Sequence, residues 1–258
     1  MENYYYLFFN VITYIIFYVV CSTDLNECDR NANDCDQHAS CTNERGSYSC
    51  KCKPGFIGDG FKCSSIPSCS AMRKYVSVSG NYGIDPDGPG GLTPFTVYCD
   101  MSDKNGVGVT VVSHDSENRT HVYTGTRQRD IHYSGASLSQ LVSLTTVSSH
   151  CEQFIKYECY NSLMLAAWWV SRNSSKMTYW GGASPGSGNC ACGMTNSCAN
   201  PSYRCNCDVN DNVWREDSGL LNDKTHLPVT RLYFGDVGGI EEGYRTLGKL
   251  KCYGISNK

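Results

Sequence analysis

The feature that most constrains the fold is the stretch from Trp180 to Trp214, which is rich in cysteine and lacks a regular pattern. Gly, Pro, Asn and Ser make up 17 of its 35 residues, and its apolar residues follow neither the helical nor the strand period. A loop of this length is unusual inside a compact domain unless something holds it, and disulfides would do so. Five cysteines are available: Cys190, Cys192, Cys198, Cys205 and Cys207.

The spacing of these cysteines limits how they can pair. Cys190 and Cys192 are one residue apart, as are Cys205 and Cys207. Two cysteines this close bridge each other only with strain, so each pair is expected to send its two bonds in different directions. Because five is an odd number, at least one bond must leave the stretch and attach it to the rest of the chain.

The cysteine content also indicates where the protein resides. Seventeen cysteines in 258 residues is far above cytosolic usage and implies an oxidising compartment. The length allows one or two domains. The net charge of −3 gives no electrostatic reason to expect a nucleic-acid partner. We therefore expect a secreted, disulfide-stapled, loop-rich protein.

The N-terminal residues 4–20 are nearly all apolar or aromatic, and small residues around Ser22 follow them. This pattern predicts a secretory signal peptide, residues 1–22, although only Glu2 and no Lys or Arg precedes the apolar run. Cleavage would also remove Cys21, leaving an even number of cysteines and no membrane span in the mature chain. The alternative is a retained signal anchor, for which the run is marginally short.

Residues 24–63 hold six cysteines in a segment of about forty residues, which is too short to fold without cross-links. The opening 24–28 (DLNEC) and the segments 41–43 (CTN) and 48–52 (YSCKC) resemble the calcium-binding subclass of EGF-like domains. The resemblance implies the pairs Cys28–Cys41, Cys35–Cys50 and Cys52–Cys63.

The same resemblance implies a calcium site in this module. Ca²⁺ takes six to eight oxygen ligands from carboxylates, amides and backbone carbonyls. The alternative is that the acidic residues form only a solvated edge. Because the site would begin near the free end of the mature chain, where chains fray, we expect weak binding at the millimolar end for extracellular modules. The implied ligands are the side chains of Asp24, Glu27 and Asn43 and the carbonyls of Leu25, Glu44 and Ser47.

A short linker, residues 64–68, leads to a second domain that begins at Cys69. The segments 79–88 (SGNYGIDPDG) and 94–101 (PFTVYCDM) resemble the start of a fibrinogen-like domain, which implies the pair Cys69–Cys99. The residues themselves predict a strand, a Gly/Pro turn and a second strand. Residues 107–112 predict a further strand.

Further along, four segments carry a more specific resemblance. They are 179–182 (YWGG), 190–193 (CACG), 205–208 (CNCD) and 247–252 (LGKLKC). Together they resemble the fibrinogen-like module of contactin-associated proteins and neurexin IV, over residues 69–254. This resemblance implies an extracellular adhesion protein.

The C-terminal part is also similar to the C-propeptide of fibrillar collagens, which implies the pair Cys159–Cys252. Cys151 then remains as the natural sixth partner for the five cysteines of the stretch. Six cysteines allow fifteen connectivities, and the sequence leaves all of them open.

The predicted fold is therefore a small disulfide-rich β module of the EGF-like type, residues 24–63, followed by an α+β, disulfide-rich, loop-rich fibrinogen-like domain, residues 69–254. Within the second domain, residues 151–162 alternate as in a strand, and residues 137–148 have the period of a short helix. The predicted buried face of this helix is formed by Leu138, Leu141, Val142 and Thr145.

The loop after the second Cys-x-Cys pair, residues 208–212 (DVNDN), gathers oxygen-bearing side chains. One interpretation is a second Ca²⁺ site formed by Asp208, Asn210 and Asp211. The other is a plain turn rich in Asp and Asn. The loop lacks the Gly and the terminal Glu of an EF-hand.

Two further features concern the surface. Asn118 and Asn173 begin N-glycosylation sequons, which the secretory setting favours. Trp168 and Trp169 cannot both face inward if they lie on one strand, so one of them would be exposed and available to a partner.

These features predict a secreted, glycosylated adhesion or matrix protein that recognises extracellular or cell-surface proteins with support from Ca²⁺. No His-Glu-x-x-His motif is present and the histidines are scattered along the chain, so no enzyme is predicted. The lack of Cys-x-x-Cys spacing and the secreted setting argue against zinc. The alternative function is a secreted carbohydrate-binding lectin of the fibrinogen-like type. The Gly-Gly-Trp-Trp-containing pocket region of true fibrinogen domains is missing, which weakens that alternative.

Overall fold

The computed structural model describes residues 24–29 and 32–256, so the predicted signal peptide lies outside the described residues. The chain divides into two compact units, one ending at Ser64 and the other beginning at Ser65. Within the described ranges, no helix has both the length and the apolar character needed to cross a membrane.

The first unit is built on a hairpin of β1 (Ala39–Glu44) and β2 (Ser47–Cys52). The chain turns at Gly46, whose φ of 77° lies in the left-handed region that glycine adopts without strain. A second pair follows, β3 (Phe56–Gly58) with β4 (Cys63–Ser65). Disulfides take the place of a large core, and they are the pairs that the EGF-like resemblance implies: Cys28–Cys41, Cys35–Cys50 and Cys52–Cys63.

The second unit contains two antiparallel sheets. Its strands are β5 (Gly80–Ile84), β6 (Phe95–Asp100), β7 (Val109–Val112), β8 (Thr120–Val122), β9 (Gln128–Asp130), β10 (His150–Tyr160), β11 (Ala167–Val170), β12 (Lys176–Met177), β13 (Arg215–Leu221), β14 (Arg231–Phe234), β15 (Glu242–Leu247) and β16 (Leu250–Tyr253). The larger sheet has the order β5-β6-β7-β16-β10-β15-β8, with β13 also pairing with β10. The smaller sheet has the order β12-β11-β14-β9.

Strand β10 is the organising element of the larger sheet. Its first residues pair with β16, and the remainder pairs with β13 and β15. Side chains alternate along a strand, and the buried set on β10 includes Cys151, Ile155, Tyr157 and Cys159. The sequence predicted this strand as well as β6 and β7, and all three are present.

Helices are few among the described residues: α1 (Cys69–Met72), α2 (Leu138–Val147) and α3 (Ala191–Thr195). A further helical turn, Asp103–Gly106, has left-handed backbone at two of its positions. Short 3₁₀ turns cover Thr124–Thr126, Met164–Ala166 and Cys207–Val209. The described chain is thus mostly β and disulfide-rich. The α+β fibrinogen-like assignment stays a prediction.

Helix α2 forms where it was predicted, but its buried face differs from the predicted one. A capping box starts it: the Ser137 hydroxyl accepts a bond from the Gln140 N–H, and the Gln140 side chain accepts one from the Ser137 N–H. Leu141 and Leu144 are fully buried, whereas Leu138 in the first turn is exposed. The buried face is therefore rotated from the predicted one: Leu144, absent from the prediction, replaces Leu138, whereas Leu141 and Thr145 are buried as predicted.

Candidate functional sites

The disulfides of the second unit correct two pairings that the sequence suggested. Cys69 is bonded to Cys99, as the fibrinogen-like resemblance implies. The implied pair Cys159–Cys252 is wrong in this structure, and so is the assignment of Cys151 to the cysteine-rich stretch. The pairs formed instead are Cys151–Cys252 and Cys159–Cys207.

The register of strand β10 explains this correction. Cys151 lies directly opposite Cys252 in the pairing of β10 with β16. Cys159 lies eight residues further along the same strand, which corresponds to about 26 Å at the usual rise per residue. A disulfide requires Cα atoms within about 7 Å of each other. Cys252 is therefore out of reach of Cys159.

The cysteine-rich stretch is closed by two internal bonds and attached by a third. Cys190 pairs with Cys205, and Cys192 pairs with Cys198. Cys207 leaves the stretch to reach Cys159 on β10. Each Cys-x-Cys pair thus sends its bonds in different directions and one bond leaves, as predicted from the spacing.

A buried carboxylate that the sequence did not single out holds this stretch on the larger sheet. Asp217, on β13, is only 3% exposed. Its Oδ1 accepts a hydrogen bond from the Asn206 N–H at 3.0 Å, and its Oδ2 accepts one from the Cys207 N–H at 2.9 Å. Burial raises the pKa of Asp217, although these two bonds oppose the shift. A single Asp in a strand carries no sequence signal for this role.

Asp217 also lies close to the sulfurs of Cys190 and Cys205. In the described parts of the chain this is the one group of three or more His, Cys, Asp or Glu side chains whose ligand atoms lie close together. The two sulfurs are bonded to each other. They therefore offer no thiolate, the form in which cysteine binds zinc. This cluster stabilises the fold and is not a metal centre.

In the first unit, the structure brings Asp24 to the turn of the hairpin. Its Oδ2 accepts a hydrogen bond from the Asn43 side-chain amide at 2.7 Å, and its Oδ1 accepts one from the Gly46 N–H at 2.6 Å. These bonds lower the pKa of Asp24, the Gly46 bond having the larger effect. Glu44 and Ser47, whose carbonyls are further predicted ligands, face each other across this turn.

Two oxygens of the predicted calcium ligands are buried and unpartnered. Glu27 Oε2 and Asn43 Oδ1 accept no hydrogen bond from the described residues. A buried oxygen without a donor is costly, by about 1–3 kcal/mol. Oxygen atoms of carboxylates and amides are the ligands that Ca²⁺ prefers. The donor set therefore fits a hard cation. Leu25, whose carbonyl is a further predicted ligand, is exposed.

The structure gives the second predicted calcium loop different partners. Asp208 is half-buried, and its Oδ1 accepts a hydrogen bond from the Leu165 N–H at 2.9 Å. Burial raises the pKa of this carboxyl. Asp211 forms a two-pronged ion pair with Arg215, at 2.6 and 3.1 Å, while Asn210 adopts a left-handed backbone. The loop is therefore organised by protein contacts, and the second calcium site stays a prediction.

The tryptophans of β11 lie on opposite faces, as predicted. Trp169 is fully buried, and its indole N–H donates to the Tyr179 carbonyl at 2.8 Å. Trp168 is half-buried on the outer face. Its ring stacks on Tyr233 at 3.8 Å, and the Lys176 ammonium lies 3.8 Å from the ring centroid.

Both predicted glycosylation sequons are exposed in the structure. Asn118 lies on a bend before β8, and Asn173 lies in the turn between β11 and β12.

Expression in secretory cells should therefore yield two glycans, which peptide-N-glycosidase should remove. Asn118→Gln and Asn173→Gln should each abolish one gel shift. The matched control is Asn200→Gln, which should change nothing because Pro201 disqualifies that sequon; a glycan at Asn200, or none at the other two sites, would contradict this.

Comparison with known proteins gives two findings. The EGF domain family matches residues 28–63. Contactin-associated protein 1 from Homo sapiens and from Rattus norvegicus is 42% identical over 202 residues, 74% of this chain. Neurexin-4 from Drosophila melanogaster is 35% identical over 236 residues, 83% of this chain. The chain spans 14% of the length of the first protein and 18% of the second.

Proposed function

We propose, from the similarity to contactin-associated protein 1 and neurexin-4, that the chain is an extracellular adhesion or matrix protein that acts by protein–protein recognition. The observation that carries this proposal is the 42% identity over 202 residues, which reaches well beyond the EGF module. The cross-linked structure supports it. Eight disulfides hold the described residues, which suits a rigid recognition surface in an oxidising environment. No catalytic step forms part of the proposal.

We further propose that Ca²⁺ orders the N-terminal edge of the EGF module. The ion would take oxygens from Asp24, Glu27 and Asn43 and carbonyls from Leu25, Glu44 and Ser47. The unpartnered oxygens of Glu27 and Asn43 support this ligand set. The bound ion would supply charge neutralisation and hold the residues before Cys28 against the hairpin turn, which stiffens the module for its partner.

Calcium binding should be visible as thermal stabilisation of the full oxidised protein. We expect the melting temperature of the first unit to rise between about 0.1 and 10 mM Ca²⁺, the range of extracellular modules. Glu27→Gln should remove the rise because it deletes a ligand charge. Glu44→Gln is the matched control, since it removes a neighbouring carboxylate but keeps the carbonyl ligand. An unchanged calcium response in Glu27→Gln would contradict the ligand set.

The recognition function is tested with biotinylated cell-surface proteins passed over the immobilised full chain. We expect retention of one or a few extracellular proteins at about 2 mM Ca²⁺ and their release by chelator. Retention that the chelator does not affect would agree with the adhesion proposal and contradict the proposal that Ca²⁺ supports recognition. Failure to retain any cell-surface protein, with the fold intact, would argue against the adhesion proposal.

A further inference from the structure

An open cleft of about 560 Å³ lies on the larger sheet of the second unit. Its walls come from β10, β13, the cysteine-rich stretch and the residue before β8. The predicted calcium residues of the first unit do not contribute to it. It is lined by Arg119, Glu158, Asn206, Trp214, Arg215 and Glu216.

Trp214 gives the cleft an aromatic lining. Trp214 contacts the rings of Tyr160 and Tyr244, whose centroids are 5.5 and 5.7 Å from its own. Despite these contacts, 47% of Trp214 remains exposed. The Arg119 guanidinium lies 3.4 Å above the Tyr244 ring. Trp214 is the most exposed tryptophan of the described second unit, and these ring contacts hold it at the cleft rather than in the core.

Charged side chains of both signs make up most of the remaining lining. Arg119 pairs with Glu158 at 2.8 Å, and Glu216 pairs with Lys156 at 3.1 Å. Arg215 is bound to Asp211 outside the lining set. The two arginines and two glutamates that line the cleft have formal charges that cancel. A strongly anionic or cationic ligand would therefore find no excess of opposite charge.

Hydrogen bonds of Asn206 and the disulfide of Cys207 hold the walls of the cleft in place. Asn206 connects the cysteine-rich stretch to the strand below: its side-chain amide donates to the Glu216 carbonyl at 3.0 Å, and its side-chain oxygen accepts from the Ala199 N–H at 2.8 Å. The neighbouring Cys207 is bonded to β10. A preformed site lowers the ordering cost of binding.

We propose that this cleft binds a neutral saccharide unit of a glycan. The face of a pyranose ring that carries its C–H groups is apolar and weakly positive, and it stacks on the negative face of an indole such as Trp214. Sugar hydroxyls can both donate and accept hydrogen bonds. The carboxylates of the cleft retain free acceptor positions in their ion pairs and the guanidiniums retain free donor positions, so both can bind such hydroxyls. A guanidinium carries five N–H donors, more than the protein contacts of Arg119 and Arg215 occupy. The cavity volume suits a mono- or disaccharide.

The first experiment is a glycan array with the full oxidised protein, in Ca²⁺ and again in chelator. Neutral oligosaccharides are compared with sialylated and sulfated ones. The wild type and Asn118→Gln are both tested, because a glycan at Asn118 would sit beside Arg119; binding by either form supports the proposal. We expect binding of neutral glycans that persists in chelator. Binding only to anionic glycans, or to none, overturns it.

Substitutions then locate the site. Trp214→Ala should weaken binding of the strongest neutral array glycan by about tenfold or more, in line with the loss of one aromatic contact. Glu216→Gln should weaken it less, by about threefold, since it keeps the shape but loses a charge-assisted bond. The matched control is Tyr203→Ala, which removes an equally exposed aromatic ring from the same stretch outside the lining set. If Tyr203→Ala and Trp214→Ala have equal effects, the cleft is not the site.

Tryptophan fluorescence gives an independent readout. Trp169 and Trp180 are buried, so acrylamide should quench mainly Trp214 and, to a lesser degree, Trp168. Methyl galactoside, methyl mannoside and N-acetylglucosamine serve as probes at millimolar concentration. At least one should protect the wild type from quenching and leave Trp214→Ala unaffected. Protection by none of the three, together with a blank array, overturns the proposal while leaving protein adhesion untouched.

Discussion

Replacing Cys159 with serine is expected to lower the free energy of unfolding by about 4 kcal/mol. The bond from Cys159 to Cys207 spans 48 residues of sequence, and the loss of such a cross-link releases a large loop in the unfolded chain. For a unit of this size the melting temperature should fall by roughly 8–16 °C. The effect is large because the bond is the covalent link between the cysteine-rich stretch and the central strand.

The same variant distinguishes the two pairings of Cys159. In this structure Cys159→Ser frees Cys207, whereas the pairing implied by the collagen-propeptide resemblance would free Cys252. Alkylation of the purified Cys159→Ser variant under denaturing, non-reducing conditions, followed by peptide mass spectrometry, identifies the free thiol. Labelling of Cys252 would contradict the connectivity described above.

A matched control uses the shortest loop of the unit. Cys192 and Cys198 are only six residues apart, so Cys192→Ser should cost about 2 kcal/mol. The ratio between the two losses tests whether loop length is the reason for the larger effect. Equal losses would point to local packing around the sulfurs instead.

The disulfide framework shows how far the sequence alone could lead. The spacing of the cysteines was sufficient to predict that each Cys-x-Cys pair sends its two bonds in different directions, because cysteines one residue apart bridge each other only with strain. The EGF-like pairs followed from a resemblance that covers the whole module. For Cys151 and Cys159, however, the partner depends on which end of an eleven-residue strand meets β16. Register is a tertiary property, and both cysteines fit the strand pattern equally well.

The candidate sites show the same limit. The predicted calcium ligands of the first unit lie close in sequence or across one hairpin, so the EGF-like resemblance could group Asp24 with Asn43, and the structure joins these two by a hydrogen bond. Asp208 instead bonds to the backbone of Leu165, 43 residues away in the chain. Trp214 contacts Tyr244 on β15, and Tyr244 in turn holds Arg119, the residue before β8, beside the cleft. Such contacts leave no local signal in the sequence.

The largest effect of a single non-cysteine substitution is expected at Asp217. Asp217→Ala leaves the N–H groups of Asn206 and Cys207 without an acceptor. Each buried, unpaired donor costs about 1–3 kcal/mol. Burial raises the pKa of Asp217, so the carboxylate itself carries a desolvation penalty that the alanine variant no longer has. The two effects oppose each other, and we expect a net loss of about 3 kcal/mol.

The neighbouring Glu216 provides the control for this prediction. Glu216→Ala removes an exposed carboxylate and a surface ion pair with Lys156, which should change stability by less than about 1 kcal/mol. Limited proteolysis should cut Asp217→Ala, and not Glu216→Ala, within residues 195–206, because the released backbone bonds hold this part of the stretch on β13. A loss of stability without new cleavage there would mean that Asp217 acts through the strand core. Equal stability of the two variants would show that the disulfides alone position the stretch.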